Sequence, residues 1–284
     1  MEPRWANECW LRGKWTARGL VIEDLGSKYQ LSGLSRRDVA DLPHTCADIR
    51  DATAIGPAFE GVDTVLHLAA ATEGLTEDWQ ATMAITIDGT VNVYEAARLA
   101  GVRRVVFMSS GSTQLGYMAD PSLPYGKLAT ARHDAPDFPT SWQMITLDDP
   151  PRPIDPYATG KLFGENVGRL YADRYGISTL AIRLGGVLRE NRPHLRGIWP
   201  GFLDQLDAVD MIDCCLSAPE DLLFDIFNAI SNNAWRWREI EHGRDVLGWV
   251  PKGSAEDAAL RDGIAPGQER GPSTPADYQG YGSA

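Results

Sequence analysis

Tyr157 and Lys161 stand four residues apart in the run Asp155-Pro-Tyr157-Ala-Thr-Gly-Lys161-Leu-Phe-Gly-Glu165. Four residues is one helical turn, so a phenol and an ammonium share a face, with a carboxylate one turn further on. A cation beside a tyrosine favours the phenolate and moves the phenol toward a pKa useful for proton transfer near neutrality. The pair is therefore a candidate general base. Tyr-x-x-x-Lys alone fits a solvated amphipathic helix equally well, so the neighbouring elements must decide.

Those elements are legible upstream. Arg104-Val-Val-Phe107-Met-Ser109-Ser110-Gly111-Ser112-Thr113 reads as a strand with hydroxyls where it stops. In open α/β sheets the ligand crevice lies outside the carboxyl ends of the strands, so a serine here would meet a substrate oxygen beside the tyrosine. Gly61 to Ala70 reads as another buried strand, ending at Leu68, Ala69 and Ala70, where small residues let a cofactor approach. Asp88-Gly89-Thr90 opens a helix that Asp88 or Thr90 could cap. The order strand, helix, strand, catalytic helix predicts an α/β fold.

Together these segments resemble the extended branch of the short-chain dehydrogenase/reductase family, which includes the NAD-dependent epimerases and dehydratases. The likeness spans residues 27–252. It rests on His67-Leu-Ala-Ala, Gly89-Thr-Val-Asn-Val-Tyr-Glu-Ala-Ala, Val105-Val-Phe-Met-Ser-Ser110 and Pro156-Tyr157-Ala-Thr-Gly-Lys161 followed by Phe163-Gly-Glu165. The resemblance implies a Rossmann-type doubly wound parallel sheet with a small carboxyl-terminal substrate lobe. It implies Tyr157 as base, Lys161 as the group that lowers its pKa and binds the nicotinamide ribose, and Ser110 as the hydroxyl that holds the reacting oxygen. Gly111 and Ser112 then line the substrate side. Within the family, Phe202 to Ile212, Ser217-Ala-Pro219, Phe227 to Asn233 and Leu247-Gly-Trp249-Val-Pro251 are most similar to the uronate dehydrogenases. Their loop arginine for the sugar carboxylate falls nearest Arg196, one residue out of register.

The amino terminus departs from that pattern. A Gly-x-x-Gly-x-x-Gly turn admits a pyrophosphate to a helix amino terminus. Here only Gly13 and Gly19 keep the outer spacing, and Thr16 occupies the middle position. A side chain there obstructs close backbone approach. The Trp5 to Trp15 stretch mixes aromatic and charged residues without an apolar run. Two readings follow for residues 1–26: a divergent but working nucleotide loop, or a replaced segment that no longer forms the first strand and phosphate turn. The second is preferred, and with it a cofactor-impaired relative becomes an alternative to an active enzyme.

Cofactor choice is read after the strand Tyr29 to Gly33-Leu34, where the family's acidic residue is replaced by Ser35 followed by Arg36 and Arg37. A hydroxyl and guanidinium groups suit a 2′-phosphate, and the arginines suit a solvated loop equally. The cofactor is NAD or NADP, leaning toward NADP. After the strand at His44, Asp48-Ile49 matches the acidic-apolar pair that receives the adenine amino group in the family.

Length and composition agree. A chain of 284 residues with 43% hydrophobic content can bury a full core. A formal net charge of −12 argues against a nucleic-acid surface. No stretch reaches the roughly 18 apolar residues of a membrane span, and no signal-type core opens the chain, so a cytoplasmic protein is expected. Cys9, Cys46, Cys214 and Cys215 have no metal-type spacing and His67 reads as structural, so no metal is assigned. The expected organisation is a dinucleotide-binding domain over 1–184 with an inserted loop at 118–153, a substrate lobe over 185–252 and a flexible tail over 253–284. The loop reads as a lid or wall of the substrate site, or as a disordered insertion. The expected function is an NAD(P)-dependent oxidoreductase exchanging hydride with a hydroxyl carbon of a sugar or sugar acid. A nucleotide-sugar epimerase or dehydratase is the alternative. Relatives in the family dimerise through two helices that include the tyrosine helix, which implies a homodimer.

Overall fold

The computed structural model describes residues 4–8, 17–37, 42–72, 76–131, 135–193 and 196–261. Among the described residues seven strands run parallel: β1 (Arg4–Glu8), β2 (Gln30–Ser35), β3 (His44–Cys46), β4 (Thr64–His67), β5 (Arg104–Ser110), β6 (Ser178–Leu184) and β7 (Phe224–Ala229). Their order is β3-β2-β1-β4-β5-β6-β7. The direction of winding reverses between β1 and β4, which opens the ligand crevice at that point of the sheet. β4 and β5 are buried nearly end to end, as expected of strands covered on both faces.

The first strand corrects the reading of the head as a segment that no longer forms one. Arg4–Glu8 pairs with β2 on one side and β4 on the other, with Trp5 level with Leu31 and Thr64. Its partners supply both ladders, so pairing does not depend on the apolar run that the segment lacks. The phosphate turn itself, with Gly13 and Thr16, lies outside the described residues.

Two apolar layers sandwich the sheet. On one face the helices Ala17–Leu25 and Gln205–Leu216 bury Leu20, Val21, Met211 and Ile212 against Val106, Met108, Leu180 and Ile182. On the other, the helices Gly89–Ala100 and Pro156–Tyr175 bury Val93, Tyr94, Val167 and Tyr171 against Val65 and Val105. Arg104 fastens the first layer from below. Its buried guanidinium donates to the carbonyls of Ala218 (2.7 Å) and Pro219 (2.6 Å), just beyond the Gln205–Leu216 helix, and to Ser178 Oγ (2.9 Å).

The tyrosine helix Pro156–Tyr175 has conventional ends. The Asp155 carboxylate accepts from Ala158 N at 2.6 Å, Pro156 takes the first position, and Gly176 closes the helix at φ 69°. Its closeness to the sheet comes from glycines at every fourth position. A methyl on Gly164 would overlap the Phe107 ring, and one on Gly160 would sit 2.9 Å from Thr82 Cγ2. The helix expected to open at Asp88 or Thr90 opens earlier. Asp78 caps Trp79–Ala81, a π-helical stretch Thr82–Asp88 follows, and Asp88 is already helical with no capping bond. The Thr90 hydroxyl instead donates to the Thr86 carbonyl at 2.6 Å.

Three organisational expectations change. The boundary at 184 does not divide the sheet, because residues 205–216 cover it and β7 extends it. Residues 118–131 and 135–153 hold the helix Tyr125–Thr130 and pack Tyr125, Leu128 and Ile145 on Trp237. The described residues of this segment are packed into the fold. The expected tail begins with a packed helix, Ala255–Arg261, whose Ala255, Ala258 and Ala259 are buried against Trp199 and Phe202. The rest of that tail, 262–284, lies outside the described residues.

Candidate active site

Ser110 is the last residue of β5, and the tyrosine helix delivers Tyr157 to it. The Ser110 hydroxyl accepts from Ser112 N (3.1 Å) and Ser112 Oγ (2.8 Å), which leaves its own proton to donate. The Ser110 side chain acts on the Tyr157 phenol to lower its pKa. Burial acts the other way and more strongly, and Asp155 adds to it, so the phenol is pushed up to about 12.

Lys161 is almost fully buried and donates from Nζ to the Met108 carbonyl at 2.6 Å. Its ammonium lies 5.7 Å from the centre of the Tyr157 ring and 5.0 Å from that of Phe107. The expected pairing on one helical face is present.

A buried carboxylate one turn beyond Lys161 fixes this arrangement. Glu165 Oε1 accepts from Ser109 Oγ at 2.6 Å and from Arg183 Nε at 2.9 Å, and Oε2 accepts from Arg183 Nη2 at 2.9 Å. Both ends of the ion pair are 5% exposed. Helix, β5 and β6 are thus locked together directly beneath the serine and tyrosine. The Glu165–Arg183 pair was missed as a device by sequence reasoning, although Glu165 four residues after Lys161 was a usable signal. His67 is structural, as expected. Its Nε2 meets Thr90 Oγ1 at 3.0 Å, and burial with the nearby Lys161 charge lowers its pKa to about 3.

The residues expected around adenosine behave differently. The Ser35 hydroxyl is buried and donates to the Arg37 carbonyl at 2.6 Å, with His44 Nε2 at 3.0 Å. It folds into its own turn. Arg36 and Arg37 are exposed. Asp48 accepts from Arg50 N (3.0 Å), Nε (3.0 Å) and Nη2 (2.7 Å), and these bonds hold its carboxyl below the usual range. Ile49 is fully buried and fills the space that Gly89 leaves open. Leu68, Ala69 and Ala70 follow β4 as expected, with both alanines buried. Gly19 is the third residue of the helix Ala17–Leu25, and Gly13 lies outside the described residues.

Gly111 and Ser112, expected on the substrate side, continue directly from Ser110. Arg196 opens the short 3-10 element Arg196–Gly201. Sequence reasoning missed Arg238, whose buried guanidinium lies against the space a side chain would need at Gly111 and stacks on Trp237 with 4.6 Å to the ring centre. No periodicity or motif pointed to it. Among the described residues no cluster of His, Cys, Asp and Glu could hold a metal ion, and no helix is long and apolar enough to cross a membrane.

Residues 17–216 match the NAD dependent epimerase/dehydratase family. The L-arabinose 1-dehydrogenase (NAD(P)(+)) of Haloferax volcanii is 35% identical over 250 residues, covering 82% of this chain and 91% of that protein. The uronate dehydrogenase of Pseudomonas putida is 32% identical over 232 residues, covering 80% of this chain and 75% of that protein. Among solved structures, uronate dehydrogenase from Agrobacterium tumefaciens superposes with a TM-score of 0.74 at 25% identity, covering 96% of this chain and 91% of that one.

Proposed function

The chain belongs to the NAD-dependent epimerase/dehydratase family, and from that premise we propose that it is an NAD(P)-dependent dehydrogenase oxidising a hydroxyl carbon of a sugar or sugar acid. The observation that carries this reading is the placement of Tyr157 and Lys161 one turn apart on one helical face, with Lys161 tied to β5 at Met108, two residues before Ser110. When bound, a nicotinamide nucleotide supplies the hydride acceptor. The donor set suits its nicotinamide half: a phenol, an ammonium and a serine converge where β5 ends, beside the two small residues after β4. Ser110 would hold the substrate hydroxyl and Tyr157 would take its proton. Lys161, anchored to Met108, would keep a positive charge beside the forming phenolate and hydrogen-bond the ribose.

The test is reduction of NAD or NADP followed by absorbance with L-arabinose, D-glucuronate and D-galacturonate. Net reduced nucleotide with any of these, lost in Tyr157→Phe, supports the reading. Epimerisation or dehydration without net reduction would move the assignment to the alternative enzyme class. A folded protein that binds neither nucleotide, followed by quenching of its tryptophans, would favour the cofactor-impaired reading. The presence of β1 weakens that third reading.

Four finer assignments belong to the same proposal. Arg36 and Arg37, exposed beside Ser35, favour NADP over NAD; a dissociation constant for NADH below that for NADPH would reverse this. Arg196 is a ligand for a sugar carboxylate, checked by a raised KM in Arg196→Ala. Phe163 (39% exposed) and Leu170 (52%), on one face of the tyrosine helix, form part of a homodimer interface; a monomeric mass in solution would sink it. The exposed thiol of Cys46 suits a reducing compartment and so the cytoplasm, a location that cell fractionation can contradict.

A further inference from the structure

Arg238 sits where three walls of the crevice meet. Its guanidinium presses on Gly111, directly after Ser110, and an added methyl on Gly111 would collide with Nη1. Its Nη2 lies 3.3 Å from the position of a methyl on Gly201. Gly201 is bound in turn to the end of β6, accepting from Gly186 N at 2.8 Å. The third wall is the 135–153 segment, where Ile145 bridges to Arg238 through Ile145 N to Trp237 O (2.7 Å) and Glu239 N to Ile145 O (3.0 Å). The guanidinium therefore lies over the carboxyl ends of β5 and β6, where an open α/β sheet binds its ligand. Its residue is only 4% exposed.

Two neighbouring groups on the same walls have unused capacity. Among the described residues Trp237 Nε1, on the indole that the guanidinium stacks on, is a buried donor without an acceptor. Gln114 Oε1, in the turn that follows Ser110, is a buried acceptor without a donor. Buried polar atoms of this kind call for a partner. A planar fork of guanidinium donors matches an oxyanion.

We infer that Arg238 is a specificity-determining residue that recognises an anionic group on the sugar, a carboxylate or a phosphate, beside the Ser110–Ser112 turn. The inference rests on the dehydrogenase reading for its substrate class. It is separate from the assignment of Arg196, which lies at the far end of the element that Gly201 closes. Lysine at 238 would keep the charge and lose the fork, whereas methionine would keep the stacking bulk and lose the charge.

The experiment is calorimetric titration of the full chain, saturated with whichever nucleotide it binds, by D-glucuronate, glucose 6-phosphate and L-arabinose. Wild type, Arg238→Lys and Arg238→Met are compared, with thermal midpoints and circular dichroism as folding controls. The expected wild type prefers at least one acidic sugar to the neutral one, and Arg238→Met lowers that preference ratio by about 10- to 100-fold, the worth of a charge-assisted bond. Arg238→Lys falls between. The glucuronate and phosphate arms show which anion is taken. An equal loss for acidic and neutral sugars would make Arg238 a positioning residue and overturn the inference, as would a wild type with no preference for either acid. Because the readout is binding, a wild type that discriminates but never reduces nucleotide would count against the dehydrogenase reading alone.

Discussion

The two halves of the crevice are tied to the protein in different ways. Around the proton-transfer group, side chains reach across the sequence: Lys161 to Met108 over 53 residues, and Ser109 to Glu165 over 56. Around the adenosine position the bonds of Ser35 to the Arg37 carbonyl and of Asp48 to Arg50 span two residues, that of Ser35 to His44 spans nine, and of these contacts only Asn92 to the Ile49 carbonyl is long-range. Long-range buried bonds fix the relative position of elements, and their loss is felt by fold and chemistry together. Local bonds shape one turn, and their loss is felt by the ligand that turn meets. The difference predicts which substitutions unfold the protein, which silence it and which only weaken it.

The largest effect should come from the group that lies on the built half yet bears little of its structure. Tyr157→Phe removes one hydroxyl, so initial rates with the best sugar should fall about 10²- to 10⁴-fold, the usual range for a general base. Nucleotide affinity and the thermal midpoint should stay near wild type. If the midpoint falls as far as in a core variant, Tyr157 belongs to the structural network and the contrast between the halves needs redrawing.

Glu165→Ala tests that network from the other side. It leaves Arg183 charged, buried and without its carboxylate, a loss of about 3–5 kcal/mol by urea titration. Gly164→Ala on the same helix should cost about 1–3 kcal/mol, because its methyl must displace the Phe107 ring. If either variant melts like wild type, the long-range ties are not what holds the tyrosine helix on β5.

His67 gives the built half a pH signature. Its pKa is lowered from 6.5 to about 3 by burial first and by Lys161 second. The neutral ring therefore contributes stability that is complete above 6.5 and is lost as the pH falls from there toward 3, since the unfolded chain binds the proton first. Replacing His67 by Asn should flatten the pH dependence of stability across that window in chemical denaturation. An unchanged slope would assign the acid limb to other groups.

The same contrast explains what the sequence could reveal. The tyrosine helix was legible because every signal is local: Asp155 and Pro156 at its start, Tyr157 and Lys161 one turn apart, Gly176 at its end. β5 was legible because it is a continuous apolar run ending in hydroxyls. β1 was not, because Arg4–Glu8 carries no apolar run and is specified by the strands on either side. The helix before β5 was entered too late because the π-helical Thr82–Asp88 gives neither a cap nor a regular period, and the Asp78 cap stands ten residues upstream. Arg238 left no trace because its role depends on Gly111, Gly201 and Ile145, which the fold alone brings together.

The smallest effect belongs to the adenosine half. Asp48 is held ionised mainly by the Arg50 hydrogen bonds, and its side chain is 24% exposed. A carboxylate has about four acceptor sites, and Arg50 takes three, two of them on Oδ1. Oδ2 therefore keeps capacity for an amino group from a bound adenine. Asp48→Asn presents an amide to Arg50 and weakens both contacts, so the nucleotide dissociation constant should rise about 2- to 10-fold, the worth of one ordinary hydrogen bond. Stability should move by no more than about 0.5 kcal/mol, as for most surface changes. Nucleotide titration and urea unfolding of the same sample separate the two. Unchanged affinity would reduce Asp48–Arg50 to a loop ion pair, and a stability loss comparable to that of Glu165→Ala would show that the adenosine half is built like the catalytic one.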